Sequence, residues 1–416
     1  MIDMTKNSMR ITIAGLGLAL LLSGCSAAGT GTTETDSGKL VEDSSTETTA
    51  TATGSSSTQA SETVVTELGG ATGGELSAED LFTTRDLTQT PDLSDATYIT
   101  LTSGQDVNIT TEGVYVLQGT ATDVTVYVDA DDADKVQIVL DGMSITNEDA
   151  PAIYVRSADK VFIITTATDN AMSVTGSFVD DGDTNLDAVI FSRSDLVFNG
   201  LGSLTITSTE NGISGKDDLK ITGGTLRVAA QLDAIEANDS VRIAGGTITI
   251  VANKDGIHAE YDDGTGYVYI CGGTIDIQAS DDGIQGTELV QIDGGTITIS
   301  AHEGIEGTYV QVNGGTIDIS ASDDGINASW KSGNTVPVIE INGGDISITM
   351  ASGDTDALDS NGYLYVNGGT IDISAQFAFD YEYGASFTGG TIYVNGEQVT
   401  EITESMMGGG MGMGGG

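Results

Sequence analysis

The sequence predicts an all-β protein built around a parallel β-helix, and three observations lead there. Glycine pairs recur at near-regular intervals, beginning at Gly223, Gly245, Gly272, Gly294, Gly314, Gly343, Gly368 and Gly389. A strand of period two follows each pair, as in Gly245-Gly246-Thr247-Ile248-Thr249-Ile250 and Gly314-Gly315-Thr316-Ile317-Asp318-Ile319, with isoleucines on one face and Thr or Asp on the other. Two further short strands fit into each repeat, and helical periodicity is absent. Three short strands in each repeat make one turn of a coil. A propeller blade needs about twice the length available, and the Leu/Asn pattern of leucine-rich repeats is missing.

The elements follow in chain order. Lys6 and Arg10 precede an apolar stretch, residues 11–22, that is short for a bilayer span, and Leu22-Ser23-Gly24-Cys25 closes it. This ending resembles a bacterial lipobox, which implies cleavage before Cys25 and lipid on its thiol. The mature chain is then expected at the cell surface, lipid-anchored to the outer face of the bacterial cytoplasmic membrane, with no intrachain disulfide. Residues 26–78 are Thr, Ser, Gly, Ala and Glu with few large apolar side chains, the composition of a disordered linker. Residues 79–110, with Phe82 and Pro91, are expected to cap the open end of the solenoid. Residues 111–405 form the coils. Ala133-Asp134-Lys135-Val136 and Ala158-Asp159-Lys160-Val161 are near-copies one repeat apart that extend the pattern upstream. Residues 406–416 are a Gly/Met tail expected to be disordered. Cys271 precedes a glycine pair, where other repeats carry Thr222, Ala244, Asp293, Asn313, Asn342 and Asn367; it reads as a small corner residue, and the asparagines as a short amide ladder.

Charge narrows the partners. With 62 acidic against 14 basic residues, the chain of 416 residues carries a net charge of −48. Nucleic acid and anionic membrane surfaces would be repelled, whereas divalent cations would be attracted. Stacking turns sequence columns into spatial ones, with equivalent residues roughly 4.8 Å apart along the axis. One column reads Asp233, Asp255, Asp282, Glu303, Asp324 and Asp356. Adjacent ionised members repel by about 3 kcal/mol at an effective dielectric near 20. A second column, three residues on, reads Ser214, Glu236, His258, Gln285, Glu306, Asn327, Asp359 and Asp380, and alternation places it outside the coil. Ca²⁺, which takes six to eight oxygen ligands, would relieve the repulsion. Its candidate ligands are Asp233, Glu236, Asp255, Asp282, Glu303, Glu306, Asp324, Asp356 and Asp359. Alternatively, some of these aspartates only cap backbone amides at a corner.

The lipobox, Phe82-Thr83-Thr84-Arg85-Asp86-Leu87, Gly113-Val114-Tyr115-Val116-Leu117-Gln118-Gly119, Val136-Gln137-Ile138-Val139-Leu140-Asp141-Gly142, Asn211-Gly212-Ile213-Ser214-Gly215-Lys216 and the Asp-Gly-Ile corners occur in this order along the chain. Together they resemble the bacterial carbohydrate-binding parallel β-helix lipoproteins. The resemblance implies a right-handed, single-stranded, pectate-lyase-like solenoid, bound calcium, and binding of cellulose or acidic sugars such as polygalacturonate without established catalysis. It carries over no catalytic residue.

A polyuronate and this chain are both polyanions, so cations would have to bridge them. For neutral glucans the handles would be aromatic. Tyr261, Tyr267 and Trp330, in two longer loops expected at one corner, could stack on sugar rings or tuck down for packing. His258, Gln285 and Asn327 are further candidate sugar contacts. The expected function is calcium-assisted polysaccharide binding by a monomer. Two other classes stay open: a calcium-dependent lyase or hydrolase, with Lys254 as the best base and Asp281-Asp282 and Asp323-Asp324 as acids, and a purely structural adhesin.

Overall fold

The computed structural model describes residues 76–261, 264–333, 335–353 and 355–404. The export segment with Cys25, nearly all of the linker and the Gly/Met tail lie outside the described residues. Among the described residues there are 34 strands and one four-residue helix, Ala78–Leu81. Strands pair in parallel with their equivalents one turn away, the hydrogen-bonding of a β-solenoid. A final antiparallel pair, Thr391–Val394 with Glu397–Val399, ends it.

The period-2 pattern dictates the core. Ile248, Ile275, Ile297, Ile317, Ile346, Ile371 and Ile392 stand in register through successive turns and are all buried. Each such side chain contributes about 1.5–3 kcal/mol relative to exposure. The glycine pairs are needed for two reasons. The second glycine has positive φ, as at Gly246 (99°), Gly273 (100°) and Gly295 (104°). The first passes too close to the preceding turn, since a Cβ on Gly314 would lie 2.6 Å from the Asp293 carbonyl oxygen. In the Asp-Gly-Ile corners proximity alone selects glycine: a Cβ on Gly283 would lie 2.4 Å from the Ile299 side chain and 2.6 Å from the Gly304 carbonyl oxygen. The amide ladder is present. Asn313 donates to Asp293 at 2.8 Å, and Asn342 to Asn313 and Asn367 to Asn342 at 2.9 Å each.

The expected cap is divided. Strand Thr97–Thr100 already pairs in parallel with Gly113–Thr122, and Val107–Ile109 with Val126–Asp129, so coiling begins inside the span assigned to it. Residues 76–89 instead form a strap along one flank. Leu76 exchanges hydrogen bonds of 2.9 Å with the Gln291 side chain, Phe82 packs on Tyr269 and Cys271, and the Gln89 side chain bonds Thr222 and Gly200. Asp86, fully buried, lies 3.5 Å from Lys160 and 3.4 Å from Lys220. Burial opposes its ionisation, but the Thr83 amide and the two lysines outweigh that and hold its carboxyl below the usual range. A strap rather than an end cap forms because Phe82 and Asp86 find their apolar and cationic partners on the flank.

Cys271 also differs from expectation. No described cysteine is free: Cys271 is disulfide-bonded, and its partner lies outside the described residues.

Candidate cation and carbohydrate groove

Both acidic columns form, and they line one groove. Ile235, Ile257, Ile284, Ile305, Ile326 and Leu358 are in register, which stacks the acids two residues before them and the polar residues one after. In the first column one carboxylate oxygen has a structural task. The backbone N–H of Asp255 donates to Asp233 Oδ1 at 2.9 Å, that of Asp282 to Asp255 Oδ1 at 3.0 Å, and that of Asp356 to Asp324 Oδ1 at 3.3 Å. Corner capping and cation binding are therefore not exclusive, because each carboxylate retains a second oxygen.

The second column lies outside the coil, as alternation requires, yet His258, Gln285, Glu306 and Asn327 are all buried between the groove walls. These side chains engage the acids. Gln285 donates to Glu306 Oε2 at 2.8 Å and Asn327 to Glu303 Oε2 at 2.9 Å. His258 Nδ1 lies 3.4 Å from Asp255 Oδ2 and 3.8 Å from Asp233 Oδ2. Burial opposes protonation of His258, but these carboxylates prevail and raise its pKa.

A cleft of about 280 Å³ opens at the centre, lined by Asp255, His258, Asp281, Asp282, Glu303 and Glu306, with Lys254 and Lys331 at its ends. Lys254 Nζ lies 3.0 Å from Asp233 and 3.4 Å from Asp255. Lys331 Nζ lies 2.6 Å from Glu306 Oε2, while Ser329 Oγ donates to Glu306 Oε1 at 2.8 Å. These contacts sort the acids. Burial disfavours the Asp233 carboxylate, but bonds from His258, the Asp255 amide and Lys254 hold its pKa near 2. Glu306 is likewise held low by Lys331 and Asp282 despite its burial. Asp282 lies between the two lysine-paired positions and forms no ion pair among the described residues; burial and the Glu306 charge push it up to about 9. Burial and Glu306 also raise Glu303. One oxygen from each of Asp282, Glu303 and Glu306 lies within 4.8 Å of the others, as do Asp255, Asp281 and Asp282. An all-oxygen set of this kind suits a hard cation.

The remaining expected ligands are distributed along the groove. Glu236 sits apart, its oxygens taken by Asn211, Ser214 and Lys216 at 2.8 Å each. Asp324 is pushed up to about 8 by burial and Asp359, and Asp359 to about 6 by burial and Asp380. Asp187 is not among the residues that the repeat singles out; burial and Glu236 raise it to about 6. It lies just before strand Ala188–Ser192, in a turn without the glycine pair, so no repeat alignment exposes it. The Asp255 and Asp233 carboxylates outweigh the burial of Lys254 and raise its pKa, a shift that works against a general base.

The two long loops do meet: a Cβ on Gly264 would be 4.0 Å from Ser332. Trp330 is 50% and Tyr261 40% exposed, so both remain available for stacking. Tyr267 does not join them. It belongs to strand Tyr267–Ile270 in the sheet under the strap, where the Arg242 guanidinium lies 5.1 Å from its ring centre. A residue at the end of a loop takes its facing from the strand it enters. That sheet also carries an unanticipated aromatic cluster: Tyr363 and Tyr365 stack at 5.8 Å, and Tyr383 meets Tyr363 edge-on at 5.5 Å.

The chain has relatives among known proteins. A 132-residue stretch is 39% identical to a carbohydrate-binding domain-containing protein of Acetivibrio thermocellus, covering 31% of this chain and 46% of that protein, so the chain spans about half the length of that relative. Among solved structures, the polysaccharide lyase-like protein from C. thermocellum, studied as a gadolinium derivative, is similar over 53% of this chain and 96% of that one, with 34% identity and a TM-score of 0.48. Residues 103–357 match the family described as carbohydrate-binding domain-containing protein. With most of the solenoid inside that match, the chain belongs to this carbohydrate-binding family.

Proposed function

We propose that the protein is a surface lipoprotein that binds polysaccharide along the acidic groove, with Ca²⁺ held by Asp282, Glu303 and Glu306 bridging to acidic sugars such as polygalacturonate. The observation that carries this reading is the state of Asp282: buried, adjacent to two further acids, and paired with neither lysine of the cleft. A divalent ion there removes the repulsion and leaves coordination positions for a uronate carboxylate or hydroxyl. Trp330 and Tyr261, exposed on the adjoining loops, supply faces on which a pyranose ring can stack, which extends the reading to neutral glucans such as cellulose. Binding without a lyase reaction is the reading favoured here, because the strongest candidate base for a lyase, Lys254, is tied up in two ion pairs.

Pull-down on polygalacturonate and cellulose, with Ca²⁺ and with excess EDTA, tests the proposal. Binding to polygalacturonate should require calcium; equal retention in EDTA sinks the bridging role, and unsaturated product absorbance would replace binding with lyase chemistry. The lipid anchor at Cys25 is tested separately by mass spectrometry of the membrane fraction.

A further inference from the structure

One turn beyond the cleft, toward the C-terminus, the groove changes character. Lys254 and Lys331 serve the acids of the cleft, but among the described residues no ion pair reaches Asp324 or Asp359. Asn327 stands between these acids: it is in register with Glu306 on one side and Asp359 on the other, and shares its turn with Asp324. It is 8% exposed. Its Nδ2 donates to Glu303 Oε2 at 2.9 Å, and its buried Oδ1 accepts from no described residue. The amide cannot be turned over to cure this, since Oδ1 would then face the Glu303 carboxylate, acceptor against acceptor. A buried carbonyl oxygen without a donor costs about 1–3 kcal/mol. No N–H or O–H group of a described residue reaches it. A cation satisfies all three groups at once.

We propose that Asn327 Oδ1 and the carboxylates of Asp324 and Asp359 form a second site for a hard divalent cation, distinct from the cleft. A neutral amide oxygen with two carboxylates is an all-oxygen set of the kind calcium accepts, and waters or sugar hydroxyls complete the shell. Asp324 can serve although its Oδ1 accepts the Asp356 N–H, because its other oxygen remains. The site shares with the reading above only the entry of a cation into the groove, and it requires no sugar. Two ions about one or two turns apart along the axis would present a polyuronate with a row of bridges rather than one.

Calorimetric titration of the EDTA-stripped mature protein with CaCl₂ tests this. Two binding events per chain are expected. Asn327→Ala should weaken one event and, because its Nδ2 donates to Glu303, the cleft event to a lesser degree; Asp359→Asn should weaken the first by roughly tenfold or more, the loss seen when even outer-shell partners of a metal are removed, while leaving the cleft event in place. Asp282→Asn should do the reverse. Far-UV circular dichroism confirms that each variant is folded. Tb³⁺ emission sensitised by Trp330, three positions along the chain, should fall in Asn327→Ala and persist in Asp282→Asn. Binding that depends on Asn327 but not on Asp282 sinks the cleft reading and leaves this site standing. An Asn327→Ala protein that titrates like the parent, or a parent that takes a single calcium lost with Asp282→Asn, overturns it.

Discussion

Replacing Asp282 by Asn should stabilise the metal-free protein and blunt its response to calcium, two effects of opposite sign from one substitution. The carboxyl ionises near 3.8 in the unfolded chain and near 9 in the groove. At pH 7 folding must therefore recover a proton that the unfolded chain has released. Over about three pH units at about 1.36 kcal/mol each, that costs about 4 kcal/mol, an upper bound because Asp282 and Glu306 share their charge. Asn has the same shape, never ionises and can still donate to Glu306. For a solenoid of this length about 1.4 °C of melting temperature corresponds to each kcal/mol, so Asp282→Asn should melt up to roughly 6 °C higher in EDTA. Calcium at a hundredfold over its dissociation constant should stabilise the parent by about 2.7 kcal/mol, or about 4 °C, and the variant by much less from this site. Thermal unfolding followed by circular dichroism, with and without calcium, reads both effects. A variant that melts below the parent in EDTA, or that keeps the full calcium shift, refutes the assignment of Asp282 as an uncompensated buried acid awaiting a cation.

Other outcomes follow from the same geometry. Acids whose folded pKa is raised bind more protons folded than unfolded, so stability present below about pH 4 is lost as pH rises through their folded values. The metal-free melting temperature should fall from about pH 4 to about pH 9 as Asp187 and Asp359 (about 6), Asp324 (about 8) and Asp282 (about 9) are passed, and calcium should flatten that profile. Asp86→Ala leaves Lys220 buried without its carboxylate and should cost about 3–5 kcal/mol, read as a lower urea midpoint and faster proteolysis within the strap; an unchanged midpoint would show that the strap contributes nothing to stability. Trp330→Ala should lower retention on cellulose while leaving calcium titration unaltered, and equal retention would remove the loop from the sugar contacts.

Local repetition determined much of this protein. A period-2 strand after each glycine pair can bury its isoleucines only by stacking on its copies, so turn length, core columns and the two polar columns were all readable from spacing. The acids Asp233, Asp255, Asp282 and Glu303 and the residues His258, Gln285, Glu306 and Asn327 lie where that spacing placed them. Tertiary structure decided what depends on partners distant in sequence. It turned the expected end cap into a strap whose Asp86 pairs with Lys160 and Lys220, and turned Tyr267 under the strap's sheet rather than toward sugar. It also placed Lys254 and Lys331 so that Asp282 is left uncompensated between them, and left one oxygen of Asn327 without a donor. Periodicity states which residues share a column, but the charge that each one keeps depends on which side chains from other turns and loops reach it, and those contacts exist only once the coil is closed.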